Sequence, residues 1–202
     1  MAAPASVTIK DLSGKWSMDK KLSDSPEPSL TLQGVGWVKR KAIATTTIAL
    51  DVKQYLDASN ITHIDIKQTA SGIPGTTETR VLDFEKAKHS DHVFGEVEGR
   101  CQWITLDKIA DPLPEHTSTP EEVEFLSKGW ICDESENGGP NGERHIDSYV
   151  QNDSNKWLAR QIWGFSMIEG QRRYVRRVVL KKYEPKTPDH ILFVTLVYNY
   201  ES

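Results

Sequence analysis

The chain has 202 residues, with 37% hydrophobic and 27% charged residues, so it fits one domain and is too rich in apolar side chains for a disordered polymer. Its 25 Lys and Arg against 29 Asp and Glu leave a net charge of −4, which removes the basic footprint of a general nucleic-acid binder. No run approaches the ~20 apolar residues of a membrane span, and Cys101 with Cys132 cannot build a disulfide framework or a four-Cys zinc site.

The N-terminal run Met1-Ala-Ala-Pro-Ala-Ser-Val-Thr-Ile-Lys10 has no basic segment followed by an apolar one, so no secretory signal is expected and the protein is placed in the cytoplasm. The first predicted element is a short helix. Ser25 is its N-cap, Pro26 its first helical residue, and Gly34 can end it. Alternation of Val and Ile with polar residues then predicts strands over 42–55, 61–69, 76–84 and 92–106, broken by turn chemistry at 57–60 and 71–75. A long irregular stretch follows over 110–144, with Pro112, Pro114, Pro120, Pro140 and the Gly138-Gly139 pair. Inside it, Thr119-Pro-Glu-Glu122 reads as a capping box ahead of Val123, Phe125 and Leu126, with Gly129 as the stop. Loops of this length in compact domains often serve as lids, and this one is expected to be a lid insertion on a single domain spanning 1–202. Four more strands are predicted over 146–151, 157–168, 172–182 and 191–200. Consecutive strands joined by short turns imply an all-β, antiparallel up-and-down sheet, which removes its exposed edges by closing into a barrel.

The faces of the last three strands carry polar residues where a sandwich core would be aliphatic. One face of 157–168 reads Trp157, Ala159, Gln161, Trp163, Phe165, Met167. One face of 172–182 reads Tyr174, Arg176, Val178, Leu180, and one face of 191–200 reads Leu192, Val194, Leu196, Tyr198, Tyr200. Each polar member either meets solvent at a barrel rim or lines an interior; several together favour a wet or ligand-filled cavity. Trp16 is expected to plug the barrel floor.

Leu12-Ser-Gly14-Lys15-Trp16 followed by Gly34-Val-Gly36-Trp37-Val-Lys39-Arg40-Lys41 resembles the intracellular fatty-acid-binding protein signature of the calycin (lipocalin-like) superfamily. More closely, the chain is similar to small fungal lipocalin-like proteins, some of which accompany secondary-metabolite pathways; members of this wider set act as cyclases or isomerases. The resemblance implies an antiparallel barrel of about ten strands under a helical portal, around a cavity that holds one small molecule. It also implies an Arg-x-Tyr on the last strand for a ligand carboxylate. Here the matching positions are Leu196-x-Tyr198, so the tyrosine remains and the arginine is gone. The portal is expected to be reduced to the one segment at 25–33, and the 110–144 insertion is foreign to the compact family.

The six histidines show no metal-ligating spacing, and no P-loop, Gly-x-Ser-x-Gly elbow or dinucleotide fingerprint is present, so neither a metal nor a cofactor is expected. Arg172-Arg-Tyr-Val-Arg-Arg177 packs four arginines around one strand. These form a surface cluster paired to acidic neighbours, or else Arg176 points inward and stabilises charge on a ligand oxygen. The expected catalytic set is Arg176, Tyr198 and Tyr174, with Gln161, Trp163, Phe165, Trp103, Tyr149 and Leu196 binding the ligand. His63, Glu78, Glu96 and Glu98 are alternative bases if their strands face the other way. The resulting expectation is a cofactor-independent isomerase or cyclase acting on an apolar, phenolic or polyketide-derived small molecule. The rival is a non-catalytic intracellular carrier of a hydrophobic ligand, and a third reading is a filled interaction barrel.

Overall fold

The computed structural model describes residues 1–71, 73–91, 93–114, 116–184 and 187–202. Gly72 in the expected 71–75 turn, His92 at the head of an expected strand and Glu115 in the insertion lie outside the described residues. Ten strands form one antiparallel sheet in the order β4-β3-β2-β1-β10-β9-β8-β7-β6-β5. They are β1 (Gly14–Met18), β2 (Ile48–Leu56), β3 (Thr62–Ala70), β4 (Ile73–Val81), β5 (Ala87–Asp91), β6 (Gly95–Ile104), β7 (His145–Asn152), β8 (Trp157–Ile168), β9 (Gln171–Glu184) and β10 (Thr187–Tyr200). Every neighbour except the β1–β10 pair is also a neighbour in sequence, as an up-and-down sheet requires. The sheet curls so that β4 at one edge approaches β6, the strand beside the other edge. The chain leaving β4 crosses to β6 where Phe84 N donates to the Cys101 carbonyl at 2.9 Å.

The end of the curl nearest the termini is closed by packing. Trp16 is fully buried, donates its indole N–H to the Leu12 carbonyl at 2.9 Å, and meets the rings of Tyr174, Tyr200 and Phe165 at 5.2, 5.0 and 6.2 Å. Two residues earlier, Gly14 has φ +135° and a Cβ there would lie 2.7 Å from the Ser202 carbonyl oxygen. That close approach explains why the first strand opens on glycine.

Two helices lie at the opposite end. α1 (Pro26–Leu32) starts as expected, with Glu27 N donating to Ser25 Oγ and Pro26 in its first turn. α2 (Trp37–Thr45) was not expected: the predicted strand at 42–55 begins only at Ile48, and the portal has two helical segments rather than one. Lys39, Arg40, Lys41, Ala42 and Ala44 are strong helix formers, and the β-branched run starts only at Thr45. β5 was missed as well, because Ala-Lys-His-Ser-Asp carries no β-branched or aromatic residue to signal a strand.

The expected helix within the insertion is α3 (Pro120–Ser127), capped by Thr119 Oγ1 accepting from Glu122 N. It covers the outer face of the sheet: Leu126, Val123 and Phe125 pack with Ile162, Val179 and Ile109. The outer faces of β8 and β9 are apolar here, so they need a cover, and α3 supplies it. The segment after α3 turns toward the closed end. Ile131 N donates to the Phe165 carbonyl at 2.8 Å, and Glu136 accepts from Ile9 N at 3.0 Å while pairing with Arg172.

Candidate functional site

Between the closed end and the two portal helices lies a cavity of about 310 Å³. Its walls are apolar, with Leu30 from α1, Ile43 from α2, and Trp157, Val178, Leu180 and Val194 from the sheet. Among the described residues, none from 105–144 lines it.

Register places the polar groups. Across β8, β9 and β10, Trp163 faces Arg176 and Arg176 faces Leu196. One row toward the portal are Gln161, Val178 and Val194; one row toward the closed end are Phe165, Tyr174 and Tyr198. The inward faces are therefore the ones alternation predicts.

Arg176 points inward, not to the surface. Its guanidinium carbon lies 3.9 Å from the Trp163 ring centroid, 5.3 Å from Tyr198 and 5.5 Å from Tyr174. Nε donates to the Tyr174 hydroxyl at 2.9 Å, while Nη2 is buried with no hydrogen-bond partner. A guanidinium cannot shed its proton, so this is a permanent cation held by aromatic faces and one phenol. Burial opposes that charge, but the tyrosines and Glu78 outweigh it and hold the group firmly protonated.

Glu78 and Arg80 enter from β4, on one face because they are two residues apart. Glu78 Oε2 pairs with Arg80 Nη2 at 2.6 Å. Burial alone would raise the Glu78 carboxyl, yet Arg80 and then Arg176 hold it below the usual carboxylate range. It is therefore an anion and a weak base. Burial pushes the Tyr174 and Tyr198 hydroxyls up despite the pull of Arg176, so both stay protonated. Together with Arg176, these three groups offer hydrogen bonds and a fixed cation rather than a strong acid–base pair.

Of the predicted site residues, Arg176, Tyr198, Gln161 and Leu196 line the cavity. Tyr174 and Trp163 lie beneath Arg176 and hold it instead of lining the space. Phe165 is 1% exposed in the closed-end core, under Arg172 at 3.7 Å. Trp103 and Tyr149 are not at the site. Trp103 donates to Thr62 Oγ1 at 3.3 Å near Gly138, and Tyr149 packs with Leu113 and Leu158 on the outer side. Alternation explains Tyr149, which has the parity of Asp147, whose carboxylate pairs outside the cavity with Arg160 at 2.9 Å; Trp103 shares the inward parity of Val97 but lies beyond the cavity, against the closed-end core.

Among the alternative bases only Glu78 reaches the cavity. His63 pairs with Asp57 at 3.1 Å, Glu98 with Lys86 at 2.8 Å, and Glu96 with Lys88 at 3.9 Å. Arg80 was missed, although the alternation of Thr-Glu-Thr-Arg80 put it beside Glu78. Among the described residues, no three His, Cys, Asp or Glu side chains are grouped to hold a metal ion.

No family model matches the chain. It is 31% identical to the probable pericyclase scpY of Mollisia scopiformis over 202 residues, covering 98% of this chain and 94% of that protein. The chain belongs to the pericyclase family. A second member, the pericyclase pydY of an Acremonium species, is 28% identical over 203 residues and is 97% covered. This pericyclase-family chain also shares its fold with fatty-acid-binding proteins. The Schistosoma mansoni protein, solved with arachidonic acid, matches with a TM-score of 0.53 at 9% identity over 94% of this chain and 96% of that one. Fatty-acid-binding protein 1 of Echinococcus granulosus matches at 0.53 and 13%, over 94% and 97%. Pericyclases are enzymes, and the chain is one of their family.

Proposed function

We propose that this chain closes a ring in an apolar, oxygen-bearing small molecule of phenolic or polyketide origin by a pericyclic reaction, without a cofactor. The observation that carries this reading is Arg176: a permanent cation with an unpartnered Nη2 at the floor of an apolar cavity. A pericyclic closure is an isomerisation in which π electrons reorganise in one step, so its atoms balance with no second reactant.

Three contributions come from the protein's own residues. The apolar walls hold a flexible polyene folded with its reacting ends together, where orientation alone contributes several kcal/mol. Arg176 donates to an oxygen conjugated with the reacting π system and draws electron density from it, most strongly as charge builds in the transition state. Tyr198, kept neutral, presents a further hydroxyl to the cavity from β10. Glu78 and Arg80 form a pair of zero net charge that leaves Arg176 as the unbalanced cation.

Incubating the purified protein with linear polyene–enone substrates tests the reading. The expected result is loss of diene absorbance with a product of unchanged mass, and a rate lowered about 100-fold by Arg176→Leu. Chemically unchanged release of every ligand bound would instead support the carrier reading, which the fatty-acid-binding fold accommodates.

A further inference from the structure

Trp163 is 1% exposed and does not line the cavity, yet it touches two residues that do. Its indole Nε1–H donates to Gln161 Oε1 at 3.0 Å, and its ring face carries the Arg176 guanidinium at 3.9 Å. An indole nitrogen can only donate. The Gln161 oxygen therefore accepts from Trp163, which leaves the amide NH2 as the donor Gln161 can offer to the cavity it lines. Arg176 is oriented by the same ring and by Tyr174, which takes its Nε and leaves Nη2 without a partner. Trp163 directly faces Arg176 across the β8–β9 ladder, and Gln161 stands one inward position away.

We infer that Trp163 is a positioning residue that sets Gln161 Nε2 and Arg176 Nη2 as a two-donor site for one carbonyl oxygen of the substrate. A carbonyl oxygen has two lone pairs in the plane of its substituents and accepts two N–H donors at once. A hydrocarbon accepts none. The inference deepens, and rests on, the proposed ring-closing reading: it names the substrate's recognition element as a carbonyl conjugated with the reacting π system. Without the indole N–H, the Gln161 amide is free to turn its oxygen to the cavity, where it would repel that carbonyl.

Binding of a matched probe pair, benzophenone and diphenylmethane, tests this in wild type, Gln161→Leu, Trp163→Phe and the double variant. The two probes differ by a carbonyl in place of a methylene. Phenylalanine keeps a ring beneath Arg176 and removes only the N–H. Wild type is expected to prefer benzophenone, with that preference falling about fivefold in either single variant, one net hydrogen bond's worth, and no further in the double variant. Diphenylmethane affinity should stay constant in Trp163→Phe and should not fall in any of the four proteins, which also shows that the cavity is intact. Exchange of the Trp163 indole proton, read by NMR, should be slow in wild type and faster in Gln161→Leu.

No carbonyl preference in wild type, a preference retained in Trp163→Phe, or additive losses in the double variant would each overturn the inference. A diphenylmethane affinity that falls with the ketone's would overturn it too, by showing a general packing role. The measurement reads selectivity and not turnover. Failure of ring closure with these results intact would thus remove the catalytic reading and leave the two-donor site.

Discussion

Arg176 on β9 stands directly opposite Leu196 on β10. The fatty-acid-binding resemblance places an arginine where Leu196 is, two residues before the retained Tyr198. In this chain the cation at this layer of the barrel comes from the adjacent strand, one interstrand spacing of about 4.8 Å away. There it lies on Trp163 and binds a phenol, while Glu78 gives its short ion pair to Arg80. A buried charge held this way costs stability. Arg176→Leu should therefore lower turnover by about 100-fold and raise unfolding free energy by about 1–3 kcal/mol. Denaturant titration beside a turnover assay checks both, and a variant that loses activity and stability together contradicts the account.

Tyr174 and Tyr198 belong to the expected catalytic set, and their environment keeps both hydroxyls protonated. Burial lifts both hydroxyls above their ordinary range, against the opposing pull of Arg176. Turnover should then be flat from about pH 6 to pH 9 as far as these groups are concerned. Tyr174→Phe removes the acceptor for Arg176 Nε, and the loss of one charge-assisted hydrogen bond should slow turnover about tenfold with no change in pH profile. A rate limb that vanishes in either phenylalanine variant would show the tyrosine titrating.

Much of this site was legible because alternation is a strong signal. The parity of β8, β9 and β10 could be read off directly, and it placed Gln161, Arg176, Leu196 and Tyr198 on the inner face. What alternation cannot supply is depth. Phe165 has the same parity as Gln161 but lies two rows deeper, in the closed-end core with Trp16. Neither can it say which face of an isolated strand turns inward, so Tyr149 was assigned to the wrong side. Helix α2 was hidden by Val38, Ile43 and the threonines around it, which carry β propensity and offset the helix formers Lys39 to Ala42.

His145 gives the fold a sensitivity to acid. Its ring is 1% exposed, both nitrogens lack partners, and Trp130 packs edge-on at 5.4 Å. Burial, aided by Arg144, lowers its pKa from 6.5 to about 4. The folded state thus resists a proton that the unfolded chain accepts, so stability falls as pH drops from 6.5 toward 4, by about 3 kcal/mol in all. His145→Leu, which fills a similar volume without titrating, should flatten this limb of a plot of unfolding free energy against pH. An unchanged slope would assign the acid sensitivity to other groups.

The 110–144 insertion was expected as a lid, and α3 within it packs on the outer face of β8 and β9. Leu126 is fully buried there, and Thr119 Oγ1 caps the helix at 3.3 Å. Leu126→Ala should cost about 2–5 kcal/mol of stability and Thr119→Ala about 1 kcal/mol. Neither should change affinity for diphenylmethane at temperatures where the fold persists. The portal should behave in the opposite way. Glu27 ties α1 to α2 through Arg40 at 3.1 Å and Lys41 at 3.7 Å, both at half-exposed or exposed positions. Glu27→Gln should leave stability within about 1 kcal/mol and speed ligand release several-fold in stopped-flow measurements. Faster release from Leu126→Ala than from Glu27→Gln would return the insertion to the role of lid.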